Sequence, residues 1–370
     1  MTLQFDPDRK PSGFSATAKA AAALNGKPAA AAAPEAPSAP QSSAPQSSAS
    51  QSSAPAVSLP QAAQDPSAAV TGHEQTIEAR LEAIFRQMIA TVNAGELAGA
   101  EALSAEALEL AKREGTAVMV ERFQCNRANI LALVGRGDEA VVSMRKLLLS
   151  SKDTGNRFLA AYAIAQHHFV RTENERSMFY ARQAFRYAEE QASDEHLAWC
   201  NNLLGTLLLR ESYFEEACVN LEDALKFYPA GYERAGILAN LGYCLAVNGR
   251  ITLAFRHMMA SLRMMNQRKL GPWRRFPHLA LAYAYLEIGR HQRSIAHAQK
   301  ALQISAGCPG ADEQWKNSLY LLGEAKKICG RDGEAYEHFT ELQKHFYPEQ
   351  PFIVDVLMAT DVRKMINLMA

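Results

Sequence analysis

The side chains best suited to chemistry in this chain are ten histidines and six cysteines, and their spacing builds no reactive site. His167 and His168 are adjacent, so on a helix they diverge by about 100° and cannot hold one metal together. His291 and His297 sit six residues apart and fall on different faces. Cys125, Cys200, Cys218, Cys244, Cys308 and Cys329 form no C-x-x-C pair and have no histidine at zinc-finger spacing. They read as small buried hydrophobes in a reducing compartment. Paired carboxylates, Glu189-Glu190 and Glu215-Glu216, read as solvated helix surface. A phosphate-binding loop, a G-x-S-x-G elbow and an H-E-x-x-H helix are all missing from the sequence. The expectation is a non-enzymatic protein with no metal and no cofactor.

The elements that would position any site begin late in the chain. Residues 1–72 are dominated by Ala, Pro, Ser and Gln, with near-repeats such as Gln41-Ser42-Ser43-Ala44-Pro45 and Gln51-Ser52-Ser53-Ala54-Pro55. Such a segment buries too little apolar area to offset the entropy of ordering it, so it is expected to be a disordered tail. Residues 73–370 hold all three Trp, all six Cys and 13 of the 15 Phe, enough for an extended core. The 39 basic and 39 acidic residues cancel, leaving no global field to attract nucleic acid or an anionic membrane. The Ala20–Leu24 run is too short and too weakly apolar for a signal peptide, and no apolar run approaches the roughly 20 residues of a membrane span. A cytoplasmic location is expected.

The organising feature is a repeat. Asn201-x-x-Leu204-Gly205-x-x-Leu208 is followed by Ala217-x-x-x-Leu221-x-x-Ala224 and closes at Pro229. Leu238-x-x-Leu241-Gly242-x-x-Leu245 with Ala254 and Met258 is a second copy, and Leu319-x-x-Leu322-Gly323 with Ala335 and Phe339 a third. In each, the alanine lies twelve residues beyond the glycine. The same offset finds Met88/Ala100, Ala128/Ala140, Ala165/Ser177 and Ala282/Ser294, which makes seven units spaced 37 to 41 residues apart. Glycine ends the first half of most units (Gly95, Gly135, Gly249, Gly289, Gly330), where a left-handed residue is needed. Two units carry Thr172-Glu173-Asn174 and Glu211-Ser212-Tyr213 instead. Asn174 is expected to take the left-handed conformation in the first, and the Glu211 turn to close differently.

Over residues 74–347 this pattern resembles the tetratricopeptide (TPR) family, whose usual period is 34 residues. The longer period here is similar to the extended repeats of kinesin light chain or of bacterial peptide-sensing regulators. The resemblance implies an all-α fold: a right-handed superhelical solenoid of about seven helical hairpins over residues 73–347, each burying its apolar stripe on the next. Residues 348–370 are expected to form a C-terminal capping helix; a partner-binding amphipathic helix is the alternative.

In the family the first helix of each hairpin presents repeat positions 2, 5, 9 and 12 to a concave groove. With the glycine as position 8, the residues implied to bind a partner are Arg122, Asn129, Tyr162, Gln166, Trp199, Asn202, Thr206, Tyr243, Tyr283, Tyr320 and Glu324. Amides bond an extended backbone through donor and acceptor at once, and aromatic rings add stacking area at low entropy cost. The tyrosines could equally fill space between successive first helices. The carboxylate clamp of chaperone-binding relatives is not matched, because Cys125 stands where Asn129 would need a lysine.

The basic stretch Arg263, Arg268, Lys269, Arg274 and Arg275, with Trp273 and Phe276, spans a connection broken by Gly271-Pro272, so an acidic protein surface suits it better than nucleic acid. The implied function is a scaffold or adaptor holding a protein or peptide partner, with a peptide-sensing regulator as the alternative. Partner identity and oligomeric state are not encoded legibly.

Overall fold

The computed structural model describes residues 76–93, 96–228, 232–268, 270–306, 308 and 311–369. The expected tail, residues 1–72, lies outside the described residues. Among those described there are helices and no strand: α1 Ile77–Asn93, α2 Leu97–Glu114, α3 Ala117–Leu133, α4 Gly137–Ser150, α5 Thr154–Val170, α6 Asn174–Glu190, α7 Asp194–Arg210, α8 Phe214–Phe227, α9 Tyr232–Val247, α10 Ile251–Gln267, α11 Arg275–Glu287, α12 His291–Ser305, α13 Asp312–Ile328, α14 Asp332–Phe346 and α15 Ile353–Ala359, with a 3₁₀ turn at Pro272–Arg274. Odd and even helices up to α14 pair as hairpins, and among the first helices α3 also touches α5 and α11 touches α13.

The glycine and alanine of the repeat lie where the two helices of a hairpin cross. A methyl group on Gly205 would meet Leu221 Cγ at 2.8 Å, and one on Gly242 would meet Met258 Cγ at 2.5 Å. One on Gly323 would sit 2.7 Å from Phe339 Cδ1 and Cζ. The absent side chain is what admits the large residue of the second helix, and Leu221, Met258 and Phe339 are each fully buried. Burial of one such side chain is worth about 1.5–3 kcal/mol. Two hairpins use a different pairing at the same crossing. Ser177 Oγ donates to the Ala165 carbonyl and Ser294 Oγ to the Ala282 carbonyl, both at 2.8 Å and both buried. The hydroxyl is thus satisfied in the core.

Among the described residues, the turns within hairpins close in one way. Gly135, Gly249, Gly289 and Gly330 have positive φ, and so do Thr172 (57°) and Ser212 (65°) in the two units without glycine. Both expectations for those units are corrected. Asn174 is the first residue of α6 and is not left-handed, and the Glu211 turn does not close by another route. The chain length between helices fixes which residue must turn, so threonine and serine accept a strained conformation there.

The chain divides into two compact units. The first contains the described residues up to Leu209 together with Tyr213–Ile237; the second contains Leu238 onward together with Arg210–Ser212. In the first unit, connections between hairpins are tied by side chains. Asp153 caps α5 by accepting from Asn156 N–H at 2.7 Å, and Asn156 Nδ2 donates back to the Val118 carbonyl of α3 at 3.1 Å. In the second unit the terminal helix is shorter than residues 348–370 would allow. It occupies Ile353–Ala359, and Thr360–Met369 continues as turns and irregular backbone.

Candidate functional site

In the first unit, the residues picked out by repeat position fall on the first helices α3, α5 and α7. Arg122 is exposed, and Asn129, Tyr162, Gln166, Asn202 and Thr206 are half-buried. Trp199 is buried, 6% exposed, and forms the floor of an aromatic cluster. Its ring lies 5.8 Å from that of Tyr162, and Phe158 lies between the stacked rings of Tyr162 (5.7 Å) and His196 (3.9 Å). His196 holds its proton less readily than a free histidine because burial disfavours its charge. The Thr206 hydroxyl donates to the Asn202 carbonyl at 2.8 Å, one turn back on α7. Cys125 is buried, its thiol pushed up to about 12 by burial and by the Glu121 and Asp153 carboxylates. It offers neither charge nor nucleophile to this face.

In the second unit the same repeat positions lie beneath the chain's own C-terminal segment. Tyr243, Tyr283, Tyr320 and Glu324 are each at most 2% exposed. Tyr243 and Tyr283 meet edge to face at 5.3 Å. The Leu368 N–H donates to the Tyr243 hydroxyl at 3.0 Å, and Asn317 Nδ2 donates to the Leu368 carbonyl at 2.9 Å. Both polar groups of one peptide residue are therefore taken by side chains of α9 and α13, which holds backbone without reference to side-chain identity.

Charge accompanies this grip. Arg363 Nη1 lies 3.6 Å from Glu287 Oε1, and Lys364 pairs with the other oxygen of that carboxylate. Lys327 Nζ donates to the Leu357 and Thr360 carbonyls at 2.6 and 3.2 Å and pairs with Glu324 at 2.8 Å. Burial raises the Glu324 carboxyl above its ordinary value, and Lys327 opposes that shift. Burial likewise raises the hydroxyls of Tyr243, Tyr283 and Tyr320, so all three are neutral donors or acceptors.

Three participants were missed in the sequence. Asn317 and Lys327 stand at positions 2 and 12 of their repeat, so the positional rule that selected Tyr320 and Glu324 reaches them. Glu287 lies one residue beyond position 12, and no spacing rule points to it.

The histidines hold one arrangement that spacing did not suggest. His278 of α11 and His297 of α12 share a hydrogen bond between their Nδ1 atoms at 2.9 Å. Burial lowers both to about 4, helped by His297, Lys300 and Arg274 at His278 and by Lys300 and Arg293 at His297, so the pair is neutral at physiological pH. No cluster of three or more His, Cys, Asp or Glu suited to a metal occurs among the described residues. Of the basic stretch, Arg275 is buried, lies over the Phe276 ring at 4.6 Å and donates to the Pro272 carbonyl, so it organises the connection itself. Among the described residues, no helix is long and apolar enough to cross a membrane.

No family model and no curated relative matches the chain. Solved structures do. A Rap protein complexed with competence and sporulation factor is similar at 13% identity and a TM-score of 0.55, over 75% of this chain and 80% of that one. The apo form of the quorum sensor NprR from B. thuringiensis is similar at 10% identity and 0.57, over 76% and 81%. NprR in complex with its cognate peptide NprX is similar at 12% identity and 0.55, over 76% and 82%. At these identities the likeness concerns the fold, and it agrees with the helix pairing and the glycine–alanine crossings. The chain shares their fold, a succession of helical hairpins in tandem.

Proposed function

We propose that the chain is a non-enzymatic adaptor that holds an extended segment of a partner polypeptide on the first-helix faces of its repeats. One observation carries this reading: the second unit already grips the backbone of a non-helical segment, taking the Leu368 N–H on Tyr243 and its carbonyl on Asn317. The first unit presents the corresponding surface unoccupied by any described residue at Arg122 and half-open at Asn129, Gln166 and Asn202, with amides suited to the same backbone pairing. Its aromatic cluster offers a flat apolar floor beside them. The six cysteines form no disulfide among the described residues, which suits a reducing compartment such as the cytoplasm.

Partner capture from cell extract by the full chain tests the reading. Asn129→Ala combined with Gln166→Ala should lower recovery of bound polypeptide at least tenfold while the helical content stays unchanged. Undiminished recovery by a folded double variant refutes it.

A second reading, a peptide-sensing regulator, is favoured by the likeness to NprR, whose structure in complex with its cognate peptide NprX is among the similar ones. In that case binding of a short peptide changes the solution scattering profile of the full chain; an unchanged profile at saturating peptide counts against it.

A further inference from the structure

The segment Thr360–Met369 is bound to its own unit as a separate peptide would be. α15 ends at Ala359, and within the segment the backbone bonds to itself where the Met365 and Ile366 N–H groups reach the Val362 carbonyl. The contacts that seat it come from other helices. Lys327 holds the Thr360 carbonyl, Tyr243 and Asn317 hold the two sides of Leu368, and Asn367 Nδ2 reaches Ser212 Oγ at 3.2 Å. Two apolar side chains, Val362 and Leu368, are buried completely. Between them Arg363 is held by Asp361 of the segment itself, Nη2 to Oδ2 at 2.5 Å, and lies 3.6 Å from the carboxylate of Glu287, with which the adjacent Lys364 pairs; Glu287 is only 14% exposed.

Three features make this an occupied binding site and not merely a lid on the last hairpin. The seat recognises backbone, one charge type and one leucine, which together define a ligand. The segment follows the end of α15 and is not itself helical, so its departure unwinds no helix. Its ionic anchor is accessible to competition, because the Lys364 side chain is 63% exposed and solvent weakens such a pair.

We propose that this face of the second unit is a binding site for a peptide carrying two adjacent basic residues followed four residues later by leucine, and that Thr360–Met369 is its resident occupant, displaced when a partner segment of that chemistry binds. The proposal rests on the reading of the chain as a holder of polypeptide and assigns the ligand class to one of its faces. Glu287 sets specificity for the basic pair, and Tyr243 and Asn317 supply affinity that is indifferent to sequence. Tethering gives the resident segment a high effective concentration, so an outside peptide gains access only by binding better or by being abundant.

The probe is a fluorescent peptide with the sequence of residues 360–370, titrated into the full chain and followed by anisotropy. Wild-type protein should bind it weakly. The double variant Arg363→Glu, Lys364→Glu loosens the resident segment and should bind the same probe at least tenfold more tightly. Adding Glu287→Lys to that variant should weaken the probe at least tenfold again. Hydrogen exchange on wild-type protein is the companion measurement: the Leu368 amide should exchange faster than the amides of α13 and faster still with saturating probe. Probe affinity unchanged by the double substitution, or a Leu368 amide that exchanges only with α13, overturns the proposal and makes the segment a fixed cap. Partner capture through Asn129 and Gln166 belongs to the first unit. Its survival alongside such a result would leave the adaptor reading standing, whereas its loss with intact probe binding would sink that reading alone.

Discussion

Adding one methyl group to a first helix should have opposite effects at Gly323 and Gly236. Both glycines are inside helices, where alanine is favoured over glycine by about 0.5–1 kcal/mol. At Gly236 nothing lies within 4 Å of the added carbon, so the full gain should appear. At Gly323 the carbon would sit 2.7 Å from two atoms of the Phe339 ring, and that ring is fully buried. Overpacking of this kind costs about 1–3 kcal/mol, which exceeds the propensity gain and leaves Gly323→Ala destabilising by roughly 1–2 kcal/mol. Phe339→Leu shortens the obstacle. In that background the added methyl should be neutral or stabilising, with a coupling energy of about 1–3 kcal/mol in a double-mutant cycle. Urea unfolding followed by far-ultraviolet circular dichroism measures all four proteins. If alanine stabilises at both glycines alike, or if its penalty at Gly323 persists without the phenylalanine ring, the helix-crossing argument is wrong.

Thr172 occupies a left-handed turn position at φ 57°, is exposed, and uses its hydroxyl only on the neighbouring Arg171 carbonyl at 2.7 Å. Thr172→Gly should therefore raise stability by about 1 kcal/mol, and an unchanged or lower unfolding midpoint contradicts that. The His278–His297 pair makes stability fall on acidification. Both folded pKa values are lowered to about 4, below the unfolded value near 6.5, so the unfolded chain takes up protons first. The contribution is complete above about pH 6.5 and is lost as pH falls toward 4. Allowing for the partial exposure of His297, the loss is on the order of 1–3 kcal/mol. His278→Asn should flatten this part of the pH profile of thermal unfolding; a slope equal to that of wild type would show that the pair is not its source.

What the sequence determined by itself was whatever repeats. The twelve-residue step from Gly205, Gly242 and Gly323 to their alanines located the helix crossings, because a crossing is a local geometry that each hairpin must solve with the same small residues. A seven-residue step from the same positions leads to Gly135, Gly249, Gly289 and Gly330, and it leads equally to Thr172 and Ser212. The left-handed residues were thus legible from register, even where residue type pointed to Asn174. The candidate face in the first unit follows from the same counting. Only the tertiary structure decided what lies on the corresponding face of the second unit. The segment from Thr360 to Met369 belongs to no repeat, and its partners Tyr243, Glu287 and Asn317 are separated from it by tens of residues. A contact of that kind leaves no period in the sequence, since it depends on where the chain's end meets side chains brought together by several helices. For the same reason His278 and His297, nineteen residues apart, became a neighbouring pair only when α11 packed on α12.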